Sequence, residues 1–412
     1  MPEFLSGKDK NEMTIVIDGV EATITSAKFV RTMDTCADAM TAIMPWFPDP
    51  EMDGYNIEIN RVTRPYSYKP ISIYLGGNLH SKMILYNITQ RKGSDGWTKD
   101  LEAYSQTADI IDSTVISPYE ARQISLENRC KQQCEPFGIN VLVGDGVNLT
   151  RKRRVQIPQY TKKISFVQSF NNELVPTYAI ASLNSIQVID TNTYKKPKTI
   201  TITEEDTFPR VSAKRTETVF SHLSKLAQQK GFLLSCSKYG DLLITKANTT
   251  DPPVAVFDDS SSNMNVLDVK FDGRKRWQYY KAIAQSSRRG RSQRTSIAQD
   301  KVVTSNRLLS FDAGDIIPGS ANSSAEWKKN KSAADALTFD LPVNSWYNDN
   351  GKLWEPNTTV SIKSFLINDF ENGFTFLITK VEFAYDENGA KATLSLKPPS
   401  LYSSGTIVEP WI

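Results

Sequence analysis

Cysteine and histidine are the residue types here that could bind a metal or act as a nucleophile, and both are scarce. The four cysteines are Cys36, Cys130, Cys134 and Cys236. Cys130 and Cys134 lie one helical turn apart in a predicted helix, but a structural zinc site needs two further ligands at a matching spacing. The histidines, His80 and His222, are isolated in the sequence. We therefore expect reduced structural thiols, no metal and no cofactor.

Carboxylates and glycine turns are the remaining candidates for chemistry. The chain has no HExxH motif, no Walker loop and no GxGxxG motif after a predicted strand, and no defensible Ser-His-Asp triad. A carboxylate pair of the glycosidase kind stays open, because such partners can be distant in the chain. The turns at 144–146 and 386–389 lack the ligand count of a calcium loop, which favours plain hairpin turns. We expect no enzymatic activity.

Two basic runs could contact phosphate groups. Residues 151–154 read Arg-Lys-Arg-Arg, a pattern that we interpret as a solvated loop. The second run contains Arg288, Arg289, Arg291 and Arg294. A net charge of only +3 over 412 residues argues against nucleic-acid binding as the main role. No apolar segment approaches the roughly 20 residues of a membrane span, and the N-terminus has no signal-peptide pattern, so we expect a soluble protein made in the cytoplasm.

Alternation of apolar and polar residues predicts a mainly β fold with an α+β portion. We predict a mobile leader at 1–11, a first β-barrel at 12–117, an α+β domain at 118–252 with an inserted β segment at about 146–209, and a second β-barrel at 253–412 with a helical insert at about 320–342. Helices are predicted at 118–134 and 216–229, and a short helix or loop at 36–47. Four short strands are predicted in the inserted segment.

Two stretches of the chain repeat one order of predicted elements. Residues 71–105 and 343–396 each contain a short strand, a turn, a longer strand, a glycine hairpin and a last alternating strand. The alignment sets Ser72–Leu75 against Ser361–Ser364, the hairpin 93–96 against 386–389, and residues 98–104 against 391–397. Identity is low, and β-meanders are common enough that coincidence stays open. We favour an internal duplication.

A chain with two similar barrels could form a trimeric ring with pseudo-six-fold symmetry, which would suit a joint between six-fold and three-fold assemblies. The equivalent strands and two tryptophans are then candidates for interfaces between barrels; tryptophans could also stack on sugars, but core or interface anchors are commoner. The interface candidates are Ile71, Ile73, Leu75, Trp346, Trp354, Val360 and Ile362. The arginines of residues 288–294 are candidates for the lumen.

Motifs in the same order over most of the chain resemble those of the Mu-type baseplate hub proteins of contractile-tail phages, the late-control tail protein family. The resembling segments are Pro65–Thr89, SQTADIIDSTV (105–115), CEPFGINV (134–141), TETVFSHLSKLAQQKGFLLSCSKYGDLLITKA (216–247) and AADALTFDLPVNSWYNDNGKLWEPNTTVSI (333–362). The last two are the most specific. The sequence departs from the family pattern at Ser345 and near Lys82, where glycines are usual, and in the insertion at about 152–206.

The resemblance implies a structural hub in the virion, at the tail baseplate. Such a hub is a homotrimer that joins the six-fold tail tube to the three-fold central spike and leaves a channel through which DNA only passes. Its implied partners are the spike protein, a tail tube or distal tail protein and the baseplate wedge proteins, with no membrane. A hub-like subunit of a tailocin or contractile secretion machine is the alternative, and a tail-tip cell-wall hydrolase is the enzyme alternative.

Overall fold

The computed structural model describes residues 3–94, 96–168, 186–260, 266–284, 294–312, 320–367 and 373–402. The chain divides into two compact units. The first contains Met1–Val147 and Thr207–Ile412, and the second contains Asn148–Asp206. The first unit carries a large sheet and the smaller elements around it, and the second is built on one long hairpin.

The N-terminal part of the first unit is almost entirely β-strand. Its elements are β1 (Met13–Ile17), β2 (Val20–Ala22), β3 (Ser26–Thr32), β4 (Ala39–Pro45), α1 (Ile57–Val62), β5 (Pro70–Leu75), β6 (Asn78–Gly93) and β7 (Gly96–Tyr104). The short helix or loop predicted at 36–47 is instead largely strand β4. Met40, Ala42 and Met44 alternate into the core there, as a strand flanked by β3 and β7 requires.

The α+β portion follows. Its elements are α2 (Asp109–Asp112), β8 (Glu120–Ser125), α3 (Leu126–Cys134), β9 (Val141–Val143), β10 (Thr150–Gln168), β11 (Ile186–Glu205), β12 (Thr207–Ser212), α4 (Val219–Gln229), β13 (Leu233–Cys236) and β14 (Leu242–Thr245). The predicted helix at 118–134 is a helix only in its second half. Residues Glu120–Ser125 pair with β12, and the Ser125 hydroxyl caps α3 by accepting from the Asn128 N–H at 3.3 Å.

The C-terminal part returns to β-strand. Its elements are β15 (Val256–Asp258), β16 (Asp268–Phe271), β17 (Tyr279–Ala284), β18 (Arg294–Gln299), β19 (Leu308–Asp312), α5 (Ser320–Ala336), β20 (Leu337–Val343), β21 (Thr359–Lys363), β22 (Phe374–Asp386) and β23 (Gly389–Lys397). The end of the predicted helical insert differs, because residues 337–342 belong to β20 and pair with β16 and β23. None of the described helices has the length and apolar character needed to span a membrane.

The strands of both parts join one 13-stranded sheet. Its order is β16-β20-β23-β22-β3-β4-β7-β6-β5-β1-β2. In addition, β21 pairs with β22, and β15 pairs with β21. The prediction of a mainly β protein is confirmed, but the prediction of two separate barrels needs correction. In the described residues no closed barrel is found, because β3 pairs with β22 and carries the hydrogen bonding from one half into the other. One apolar cluster accordingly contains buried side chains of both halves.

Residues 148–206 form a unit of their own. Strands β10 and β11 are antiparallel, from Thr150 opposite Glu205 to Gln168 opposite Ile186, with a register shift between Ile157 and Gln159. Of the four strands predicted in this segment, the one at 177–182 lies outside the described residues. The other three fall mainly within the two long strands β10 and β11.

Candidate functional site

The four cysteines are buried and free, as expected of structural thiols. Burial raises the pKa of each, to about 12 for Cys134 and about 11 for Cys236, so the thiols are protonated at neutral pH. The Cys236 Sγ accepts from the Thr107 hydroxyl at 3.3 Å. Within the described part of the chain, no three cysteine, histidine or acidic side chains are grouped so as to hold a metal ion.

Both histidines are buried and neutral. Desolvation lowers the pKa of His222 to about 4, with the neighbouring Arg129 adding to the effect. The Arg129 Nε lies 3.3 Å from the His222 Nε2, and Glu217 lies 3.8 Å from the Nδ1 on the other side. Burial also lowers the pKa of His80 well below its ordinary value, and its ring packs edge-on against Phe29 at 5.3 Å. Both rings serve the packing of the unit.

The two oxygen-rich turns end strands. Residues 386–389 close the β22–β23 hairpin, where Asp386 pairs with Gly389. At residues 144–147, the Val147 N–H donates to the Gly144 carbonyl at 3.3 Å, after β9. The prediction of a hairpin turn is therefore confirmed at 386–389. It is wrong at 144–146, because β9 pairs in parallel with β14 and the turn leads out of that sheet.

The two halves of the large sheet share an irregularity at an equivalent place. The β6–β7 register shifts between Leu85 and Asn87, and the β22–β23 register shifts between Ile378 and Lys380. The hairpins close at Gly93 opposite Gly96 and at Asp386 opposite Gly389, the same number of residues beyond each bulge. Strands β7 and β23 are each nine residues long. A bulge repeated at one place in both hairpins is strong structural support for the duplication.

The strands around each hairpin repeat as well. Ile71 pairs with Met83, and at the equivalent positions Val360 pairs with Phe376. Strand β7 is followed across the sheet by β4 and then β3, and β23 by β20 and then β16. One difference is that β1 is antiparallel to β5, whereas β15 is parallel to β21. Strand β3 in one half thus has β16 as its counterpart in the other.

The junction between the halves is the antiparallel pairing of β3 with β22. It runs from Thr32 opposite Lys380 to Ala27 opposite Tyr385. On the core face, the Phe29 and Phe383 rings stack with centroids 6.1 Å apart. On the other face, the Lys28 Nζ lies 2.6 Å from a Glu382 carboxylate oxygen. An apolar pair beneath and an ion pair above fix this register.

The face of the sheet opposite the core is polar. A shallow groove crosses β3, β4, β7 and β22 on this face, lined in part by Lys28, Thr41 and Glu102. The Asn87 side-chain amide donates to Glu102 at 2.8 Å, and the Arg91 Nε donates to Asp100 at 2.7 Å. These exposed pairs add little stability, but they keep the face compatible with water.

The seven predicted interface residues all lie in the main core of one chain. Their exposed fractions range from 0 % for Ile73, Trp346, Val360 and Ile362 to 4 % for Trp354. The indole N–H of Trp346 donates to the Lys391 carbonyl at 2.9 Å, and that of Trp354 donates to the Ser345 carbonyl at 3.0 Å. Their burial is thus explained within a single chain, and a role between chains stays a prediction.

The predicted lumen arginines fall mainly outside the described residues. Arg288, Arg289 and Arg291 are not among them, and Arg294 is described only as the first residue of β18, paired with Ala284. The outer edges of β16 and of residues 87–92 of β6 were not singled out from the sequence. The available signal was the alternation of Leu267, Val269 and Phe271, which matches that of β3.

Comparisons with known proteins agree with the resemblance seen in the motifs. The family model described as Mu phage baseplate assembly protein GpP, fourth domain, matches residues 318–404. The baseplate hub protein gp44 of Escherichia phage Mu is 26% identical over 205 residues, which cover 46% of this chain and 52% of gp44. The chain therefore spans about half the length of this curated relative.

Two solved structures share the fold. The 43 kDa tail protein of prophage MuSo2 from Shewanella oneidensis has a TM-score of 0.68 and 18% identity, covering 95% of this chain and 100% of that one. The tail protein from Neisseria meningitidis MC58 has a TM-score of 0.67 and 14% identity, covering 95% and 97%. The two structures show that this chain shares the fold of phage tail proteins. Together with the matching domain and the phage Mu hub, this confirms the resemblance: the chain is similar to the Mu-type baseplate hub proteins of phage tails.

Proposed function

We propose that this chain is a structural, non-catalytic hub subunit of a phage tail baseplate, located in the virion. Three copies form a ring of six similar half-sheets, which joins a six-fold tail tube above to a three-fold central spike below. The observation that supports this most directly is the duplication of the sheet: the two halves have a bulge at the same position and the same hairpin register. A duplicated chain presents two similar surfaces, so three copies can match six-fold and three-fold partners at once.

The polar face of the sheet suits the wall of a water-filled channel. Lys28, Arg91 and Glu102 all lie on this face, and it carries both signs of charge. A mixed surface would attract passing DNA weakly and would let it slide through, whereas a strongly basic surface would hold it. We propose that this face, with the arginines of residues 288–294, lines the lumen. The spike, the tube or distal tail protein and the wedge proteins are the proposed partners.

The test is the mass of the purified protein by light scattering at several concentrations, alone and co-expressed with the candidate spike. We expect a stable species of three times the 46.3 kDa chain, and particle images with six similar lobes around a three-fold axis. A dimer or a tetramer would contradict the proposal, because neither places six halves on a three-fold axis. So would a strict monomer in both preparations.

A further inference from the structure

The internal junction of β3 with β22 has a counterpart whose two sides are apart in the sheet: the end strand β16, and the part of β6 that extends beyond its pairing with β5. Strand β16 is the counterpart of β3, and residues 87–92 of β6 are the counterpart of residues 380–385 of β22. Among the described residues, β16 pairs only with β20, and residues 87–92 pair only with β7. We propose that β16 of one copy pairs antiparallel with residues 87–92 of β6 in the next copy. This interface rests on the ring proposed above and specifies how it closes.

The repeat predicts the register of the pairing. Lys28 lies opposite a residue of β4 that in turn lies opposite Glu102 of β7. In the same way, Asp268 lies opposite a residue of β20 that lies opposite Ser395 of β23. Glu102 and Ser395 are equivalent, because each pairs with the first residue after the bulge of its hairpin, so Asp268 of β16 is equivalent to Lys28 of β3. Transferring the β3–β22 pairs gives Lys92 opposite Leu267, Arg91 opposite Asp268, Gln90 opposite Val269, Thr89 opposite Lys270, Ile88 opposite Phe271 and Asn87 opposite Asp272.

The side chains on the two edges are complementary in this register. Phe271 is 60% exposed and would cover Ile88, which is partly buried against the main core. On the polar face, the Arg91 guanidinium would lie directly opposite the Asp268 carboxylate, at the positions that Ala384 and Lys28 occupy in the internal junction. A one-residue slip would place Phe271 on the polar face. Apolar and charged pairs therefore favour one alignment, as they do inside the chain.

The exposure of β16 also favours an occupied edge. Solitary proteins usually protect a sheet edge with charges, prolines or bulges. Strand β16 carries the charged side chains Asp268 and Lys270, but it also exposes the large apolar side chain of Phe271. Addition of a strand from a second copy would bury Phe271 and satisfy the outward backbone groups of both edges.

The proposed contact is head-to-tail, since it joins two different surfaces. Such contacts generate a closed ring when the rotation between copies is a whole fraction of a turn. Inside the chain, the β3–β22 junction already sets the rotation that relates one half to the other. A second junction of the same kind between chains repeats that step, so six similar steps around three chains close the ring.

Cysteine cross-linking tests the register. The double variant Arg91→Cys with Asp268→Cys should oxidise to covalent dimers and trimers in the purified full-length protein, and should stop at three chains. The native thiols are buried, so they should not interfere under mild oxidation. The matched control pairs Arg91→Cys with Asp340→Cys, since Asp340 lies on β20, one strand further from the edge, and should cross-link poorly.

Charge reversal tests the same contact without oxidation. Arg91→Glu alone should lower the trimer fraction, and adding Asp268→Arg should restore it. Phe271→Asp should abolish the trimer at concentrations where the wild type is fully trimeric. All three sites are exposed, so circular dichroism and melting temperature should stay close to wild type, which separates lost assembly from lost folding.

The outcomes separate this inference from the proposed function. A wild-type trimer that survives every substitution and does not cross-link would overturn the edge pairing and leave the hub proposal standing. Cross-linking that ends at dimers would also overturn it, because that product indicates a two-fold contact. Absence of a trimer in the wild type itself, alone and with the spike, would overturn both.

Discussion

At the scale of single residues, the ionisable groups in the core serve the fold. Arg276 and Asp300 are both buried and lie 2.8 Å apart, so each charge is compensated by the other. Asp38 is fully enclosed beside Arg31, and burial raises the pKa of its carboxyl to about 6. Perturbed groups of this kind can mark an active site. Here each of these groups has a charged neighbour within the core.

Stability should therefore depend on pH through His222. Its pKa is lowered from 6.5 to about 4, so between these pH values the unfolded chain binds a proton that the folded chain does not. Its contribution to stability is present above pH 6.5 and is lost as the pH falls towards 4. Asp38 acts in the opposite sense, since its contribution falls as the pH rises from about 4 to 6.

The variant His222→Gln should isolate the histidine contribution. Relative to wild type, its urea midpoint should be lower at pH 7, and the gap should narrow as the pH falls to 5. The control Lys131→Gln changes an exposed cation on α3 and should keep the wild-type slope. Parallel curves for His222→Gln and wild type would contradict this, because they would show that the ring takes up a proton as readily in the folded chain as in the unfolded one. An NMR titration can check this directly, because the chain has only two histidines.

At the scale of elements, the repeat was the most successful sequence inference. The alignment of residues 98–104 with 391–397 is the one that the hairpin registers show. Local patterns failed where pairing partners decide the conformation. The helix at 118–134 was predicted from the near-helical spacing of Ile124, Leu126, Cys130 and Cys134. The residues before Leu126 instead form β8, because β12 lies beside them. The sequence at 36–47 likewise predicted a short helix or loop, whereas the neighbouring strands β3 and β7 make most of it strand β4.

The hairpin glycines provide a test of the duplication. Gly96 and Gly389 have φ of +124° and +94°, and a Cβ on either would meet no atom within 4 Å. Gly96→Val and Gly389→Val should each cost about 1–2 kcal/mol through backbone strain alone. Chemical denaturation should give similar losses for the two.

A neighbouring substitution provides the control for that pair. Lys391→Val, at an exposed position inside β23, adds the same side chain where a strand accepts it and should be close to neutral. If one glycine variant is neutral and the other is costly, the two turns are not equivalent.

At the scale of the whole molecule, the unit 148–206 should be dispensable for folding. Its ends are adjacent, because Thr150 pairs with Glu205 and the Asp206 N–H donates to the Leu149 carbonyl at 2.9 Å. Replacing residues 150–205 with a short Gly-Ser linker should leave the melting temperature of the remaining unit within a few degrees of wild type. Circular dichroism and calorimetry would measure this.

Deletion of α5 is the matching test inside the first unit. This helix buries Ala325, Ala333 and Ala334 against the neighbouring strands and the segment around Tyr402, so its removal exposes a core and should prevent stable folding. Equal damage from both deletions would show that the inserted unit supports the rest of the chain.

The sequence by itself determined the mainly β class, the family resemblance and the lack of catalytic motifs, and it favoured the duplication, because alternation and short motifs are local properties of the chain. Only the tertiary structure decided that the halves share one sheet through β3 and β22, and that Trp346 and Trp354 are core residues. It also showed that β16 and residues 87–92 of β6 each have one unpaired side among the described strands. The physical reason is that strand pairing joins residues hundreds of positions apart, and a strand's own pattern does not specify its neighbours.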